Sequence, residues 1–93
     1  MMNSELVEEA ARVLASDLLA QDASDDVDRV HRLYGRAYGR PPKPAESTLA
    51  ATFLDRFNRG LAASIPNARQ RRSLAFEALC RTLMASNEFV YIQ

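Results

Sequence analysis

Cysteine, histidine, glycine and long apolar runs are all scarce in this chain, and each scarcity removes a class of function. The single cysteine, Cys80, excludes an internal disulfide and any multi-cysteine metal cage. With no second cysteine at CxxC spacing it also excludes covalent haem attachment, and its place between the apolar Leu79 and Leu83 reads as a packed thiol. His31 is the only histidine. A metal ligand or general base needs a carboxylate or a second ligand at the right helical step, and Asp28 is the candidate, three residues earlier. A lone histidine among arginines is more often neither ligand nor base. Gly35, Gly39 and Gly60 are too dispersed to cradle phosphate and serve packing and turns. No apolar run approaches the about eighteen residues that a membrane span needs. The opening MMNSELVEEAAR carries Glu5, Glu8 and Glu9 where a signal peptide has a basic and then an apolar region, so export on a signal of its own is not expected. The paired carboxylates, Glu8 with Glu9 and Asp25 with Asp26, read as helix caps and solvated faces. No catalytic, cofactor-binding or metal-binding residue follows, and the chain reads as a non-enzyme.

What is present belongs to one small globular domain, residues 1–93. Apolar residues make up 47% and charged residues 26%, as in an ordinary folded protein. A chain this short buries a modest core. The net charge is zero, but residues 1–28 carry −7 and residues 29–93 carry +7. Two halves that neutralise each other on packing explain this most simply; a basic surface facing an anionic partner is the sharper alternative. Eleven of the twelve basic residues are arginine, with Lys43 the lone lysine, and fifteen residues are alanine; both biases fit genome composition.

Hydrophobic spacing predicts four helices. The first covers residues 4–20, with Leu6, Val7, Ala10, Ala11, Leu14 and Leu18 on one stripe and Asn3 as its cap. After a short polar link, Ser24 or Asp25 caps a second helix with Val27, Val30, Leu33, Tyr34, Ala37 and Tyr38 inward. Gly39 stops it, and Pro41 and Pro42 forbid continuation. A third begins near Pro44, with Leu49, Ala50, Phe53, Leu54 and Phe57 as its stripe, and ends at Gly60 or at Ile65 and Pro66. A fourth runs to about residue 86, with Leu74, Ala75, Ala78, Leu79, Thr82 and Leu83 inward. Arg69, Arg71 and Arg72 sit badly beside a helix N-terminus, which places its regular start near Ser73. The closing NEFVYIQ is an apolar tail expected to fold back on the bundle or onto another surface. The fold class is all-α: a small bundle of about four helices with a short apolar C-terminal tail.

The stretch LYGRAYGRPPKP, residues 33–44, is the one segment whose residues look chosen for more than helix formation. Tyr34 and Tyr38, four apart, read first as core. The arginines Arg29, Arg32, Arg36 and Arg40 follow steps of three and four and make a stripe on the opposite face of the second helix. With Arg69, Arg71 and Arg72 they are the candidate anion contacts. Salt bridges to the acidic first helix or its following loop are the more economical role, since the chain lacks the basic excess of a nucleic-acid-binding domain. Arg40, Pro41 and Pro42 form a rigid corner, and with the tail residues Phe89, Val90, Tyr91 and Ile92 they are the candidate partner contacts.

Three segments in order carry a family resemblance: MMNSELVEEAARVLASDLLA, then VHRLYGRAYGRPPKPAE, then LAFEALCRTLMASNEFVYIQ. Together they resemble the C-terminal portion of the planctomycete PSD family, catalogued as domain of unknown function 1553. The likeness rests on a Met-Asn pair leading into a helix, a Leu-Tyr helix ending in Gly-Arg-Pro-Pro, and a closing Asn-Glu-Phe signature with a following tyrosine. Members of that family are much longer, are thought to be exported or surface-associated, and commonly carry c-type cytochrome modules. Their biochemical role is not established, so the resemblance carries no catalytic residue to this chain. Lys43 stands where the family tends to have a threonine cap, and Ala85 where it has an asparagine.

These readings converge on a non-catalytic helical packing or interaction module, the C-terminal piece of a larger parent domain at the cell surface, with no cofactor. Its partner is then protein: the rest of the parent chain. A free-standing cytoplasmic adaptor or homo-oligomer using the same apolar tail is the first alternative, and a nucleic-acid binder using the arginine stripe is the weaker second.

Overall fold

A computed structural model describes residues 4–21 and 25–85. Within them the chain forms four helices: α1 (Ser4–Ala20), α2 (Asp26–Tyr38), α3 (Pro44–Leu61) and α4 (Ala68–Met84). The all-α bundle expected from hydrophobic spacing is the fold of the described residues, and none of its helices is long and apolar enough to cross a membrane. The tail residues Phe89, Val90, Tyr91 and Ile92 lie outside the described residues.

Local chemistry sets the helix ends. Asp25 caps α2, its carboxylate accepting the Asp28 N–H at 2.9 Å. Gly39 ends α2 in the left-handed region, φ 70°, where a Cβ would be strained, and its N–H reaches the Gly35 carbonyl at 3.1 Å. Pro44 opens α3, where a missing N–H costs nothing. Lys43 has no side-chain acceptor to cap that helix, so only the return half of a capping box forms: the Lys43 N–H donates to Glu46 Oε1 at 2.8 Å. Past Gly60, α3 runs one residue further, to Leu61, and a turn over residues 62–64 leads to α4.

The expected start of α4 near Ser73 is corrected: the helix begins at Ala68. Asn67 caps it, accepting the Gln70 N–H at 2.9 Å. Two of the three arginines in the first turns find acceptors. Arg71 donates backwards to the carbonyls of Ile65 at 2.7 Å and Pro66 at 2.9 Å and to Asn58 Oδ1 at 2.8 Å, while Arg72 pairs with Asp26 across the bundle.

The core centres on α4, which packs along α1 and α3 and also touches α2. Phe76 and Cys80 from α4 are fully buried with Leu18 of α1 and Leu33 of α2. Contact on several sides explains why α4 buries Phe76 and Met84 as well as the expected Ala75, Ala78, Leu79, Cys80 and Leu83. Thr82 is exposed, its hydroxyl donating to the Ala78 carbonyl at 3.0 Å. With Thr82, three more residues assigned inward by spacing are outside: Leu6 is 64% exposed, Val27 58% and Leu49 69%. Each lies at the margin of its helical stripe, beyond the arc that the neighbouring helices cover.

Candidate functional site

The corner between α2 and α3 is held by Arg40. Its guanidinium lies 5.6 Å from the centre of the Tyr34 ring and 5.4 Å from that of Tyr38. Those two rings meet edge to face at 5.3 Å. From there Arg40 grips Glu46 with two parallel bonds of 2.9 and 3.0 Å and donates to the Pro41 carbonyl at 3.0 Å. Glu46 also accepts the Lys43 N–H, and these donors, Arg40 first, hold its carboxyl at about 2, far below the usual range. Tyr34 is buried, as its spacing implies, and Tyr38 is half-buried, with its hydroxyl donating to the Leu83 carbonyl at 2.9 Å. Within the candidate corner Pro41 is exposed and Pro42 is buried, so the turn presents one proline outward and packs the other. Arg40 is turned into the α2–α3 junction.

Beside this corner, α2, α3 and α4 leave an open groove of about 810 Å³. Leu49, Phe53 and Phe57 form one wall, with Leu79 and Leu83 of α4 at the floor and Tyr38 at one end. The Phe53 and Phe57 rings stack with centres 5.8 Å apart, and both are half-buried. Arg56 sits on the lip and makes no ion pair among the described residues. Glu46, the acidic residue at the margin, is already saturated by Arg40 and Lys43. The groove therefore offers a broad apolar wall with a cation on one lip, a shape suited to an apolar peptide or helix.

Spacing along α3 carried a signal for this groove that a single-stripe reading misses. Ala50 and Leu54 form one seam and are buried, while Leu49, Phe53 and Phe57 repeat every four residues and form a second seam beside it. An apolar arc this wide exceeds what one neighbouring helix covers.

The candidate anion contacts do not form a common surface. Arg29 pairs with Asp26 at 3.1 Å, Arg32 with Asp28 at 3.2 Å, and Arg36 reaches Asp17 of α1 at 3.5 Å. Arg29 is mostly buried, and its Nε has no hydrogen-bond partner among the described residues. Arg71 is spent on the α3–α4 turn. Arg69 and Arg72 share a shallow groove with Ser73 and Leu19, and Arg72 is paired with Asp26. Acidic partners come mainly from the first turn of α2 itself, with α1 supplying one.

His31 is exposed, and the neighbouring Asp28 carboxylate pairs with Arg32. Burial pushes the Cys80 thiol up to about 12. Among the described residues no three side chains of His, Cys, Asp and Glu come together as a metal-holding group. No family model matches the chain, and no curated protein or solved structure matches it.

Proposed function

We propose that this chain is a non-catalytic helical docking module, the closing part of a larger planctomycete-type surface protein, and that it binds protein through the α2–α3–α4 groove. The groove is the observation that carries the reading. Its wall of Leu49, Phe53 and Phe57 leaves apolar surface uncovered, and Leu49 is 69% exposed. Exposed apolar surface gathered into a concavity marks a place where something packs. The polar groups nearest to it, Arg40, Glu46 and the Tyr38 hydroxyl, are engaged in holding the helices together, which supports a structural rather than a chemical role. The three ordered segments that resemble the planctomycete PSD family support placement in a longer parent.

An antibody raised against this segment tests the parent reading on the native protein in its source cells. A species many times heavier than 10.4 kDa is expected. A band at 10.4 kDa overturns the parent reading and favours a free-standing adaptor or homo-oligomer built on the same groove. Nucleic-acid binding is the weaker alternative, because Arg29, Arg32, Arg36 and Arg72 are each paired with a carboxylate. The expected result of a gel shift at low salt is no complex.

A further inference from the structure

We propose that a second copy of this chain docks on the exposed face of α1, the two helices lying antiparallel with Ala10 of each at the two-fold axis. This surface shares no lining residue with the α2–α3–α4 groove, and pairing through it is independent of whatever the groove binds.

Leu6, Ala10 and Val13 follow steps of four and three, which set them on one line of the helix surface. Leu6 and Val13 are exposed, Val13 by 49%, although α1 already buries Ala11, Leu14, Ala15 and Leu18 in the core. The helix therefore carries a second apolar line beside the one that the bundle covers. With Ala37 and Met84 these residues border a shallow depression of about 470 Å³. Apolar side chains gathered in this way mark a contact surface.

Self-complementarity selects a second copy as the occupant. With the helices antiparallel about Ala10, Leu6 of one copy stands within about 1.5 Å, along the axis, of Val13 of the other. The reverse contact follows by symmetry. The flanking charges match in the same register. Glu9 and Arg12 pair on their own helix and are both exposed. On the second copy they run in the opposite order, so each Glu9 is level with Arg12 of the other copy to within about 1.5 Å. A parallel pair would instead set Glu9 beside Glu9 and Arg12 beside Arg12, with the helix dipoles aligned. The small Ala10 at the axis lets the two helices approach closely. One helix face covers less than the about 800 Å² per partner of a standard interface, so the dimer is weak and forms at high protein concentration.

Sedimentation equilibrium on the full chain should show the average mass rising from 10.4 kDa towards twice that value as protein concentration increases. Val13→Glu should hold the mass at 10.4 kDa, with helix content unchanged by circular dichroism. Register is read by cysteine cross-linking. Cys80 is fully buried and its thiol is pushed up to about 12, so a cysteine placed on the exposed face of α1 is the one that oxidises. Ala10→Cys should link to itself under mild oxidation. Leu6→Cys should not, since the two Leu6 positions stand about 12 Å apart along the axis, but it should link to Val13→Cys in a mixture. A mass of 10.4 kDa up to millimolar concentration overturns the proposal. Association that Val13→Glu leaves unchanged belongs to another face and also overturns it. Self-linking through Leu6→Cys in place of Ala10→Cys makes the helices parallel, against the proposal. All three negative outcomes leave the groove and the parent reading to their own tests.

Discussion

Arg40 joins three pieces of the α2–α3 corner through one planar group: it stacks on two tyrosines, grips Glu46 with both terminal nitrogens and donates an N–H to the Pro41 carbonyl. Lysine offers neither the fork nor the planar face, so Arg40→Lys is not conservative here. The same arrangement gives the corner a pH signature. Glu46 has a folded-state pKa of about 2 against an ordinary 4.5, so the folded protein binds fewer protons than the unfolded chain between those values. Its contribution to stability is complete above about pH 4.5 and is lost as pH falls towards about 2. Urea titrations of the native chain and Glu46→Gln at several pH values should show the variant's deficit at neutral pH shrinking through that window. A deficit independent of pH would remove Arg40 and Glu46 as a charge pair. Tyr34 and Tyr38 were legible as packing from their four-residue spacing. The inward turn of Arg40 was not, because its partner Glu46 stands across a proline turn whose path only the folded backbone defines.

Element boundaries divide according to whether a local chemical stop is present. Asp25, Gly39 and Pro44 each act within one turn of themselves, and α2 and the start of α3 lie where those residues put them. The start of α4 was misplaced by five residues because arginine at a helix N-terminus is unfavourable only when its charge stays there. Arg71 folds back onto the preceding turn and Arg72 leaves for Asp26, contacts at sequence separations that local rules do not see. Asn67→Ala should therefore cost about 1 kcal/mol through loss of the cap. At α3 the opposite change is available. Lys43→Thr supplies the missing side-chain acceptor and should raise stability by about 1 kcal/mol, read as a shift in the urea midpoint with unchanged slope. No gain would mean that the return bond from Glu46 already satisfies the start of α3.

Across the whole molecule, stability rests on α4. A domain of 93 residues has a net stability of roughly 5–14 kcal/mol. Phe76 is 1% exposed at the meeting of the helices, and Phe76→Ala should remove about 3–5 kcal/mol of that. Leu49→Ala, at an exposed site on the groove wall, should change stability by about 0.5 kcal/mol or less. Equal costs for the two would mean that the groove wall belongs to the core. The opposed charges of the two halves do meet on folding, but mostly through pairs at or near the surface, each worth about 0.5 kcal/mol. Charge balance therefore shapes the surface more than it holds the bundle.

The amino-acid sequence by itself determined the helical class, the number of helices and the ends marked by Gly39 and Pro44, and narrowed the start of α2 to Ser24 or Asp25, because helix periodicity and capping act over one or two turns. Only the tertiary structure decided which margin of each apolar stripe stays covered. Leu6, Val27 and Leu49 have the spacing of core residues and the exposure of surface ones, since burial depends on where the neighbouring helices end and how they are angled. Phe76 and Met84 went the other way, because α4 is packed from several sides. The groove between α2, α3 and α4 follows from the same cause: helix α3 carries two apolar seams, and the bundle covers one.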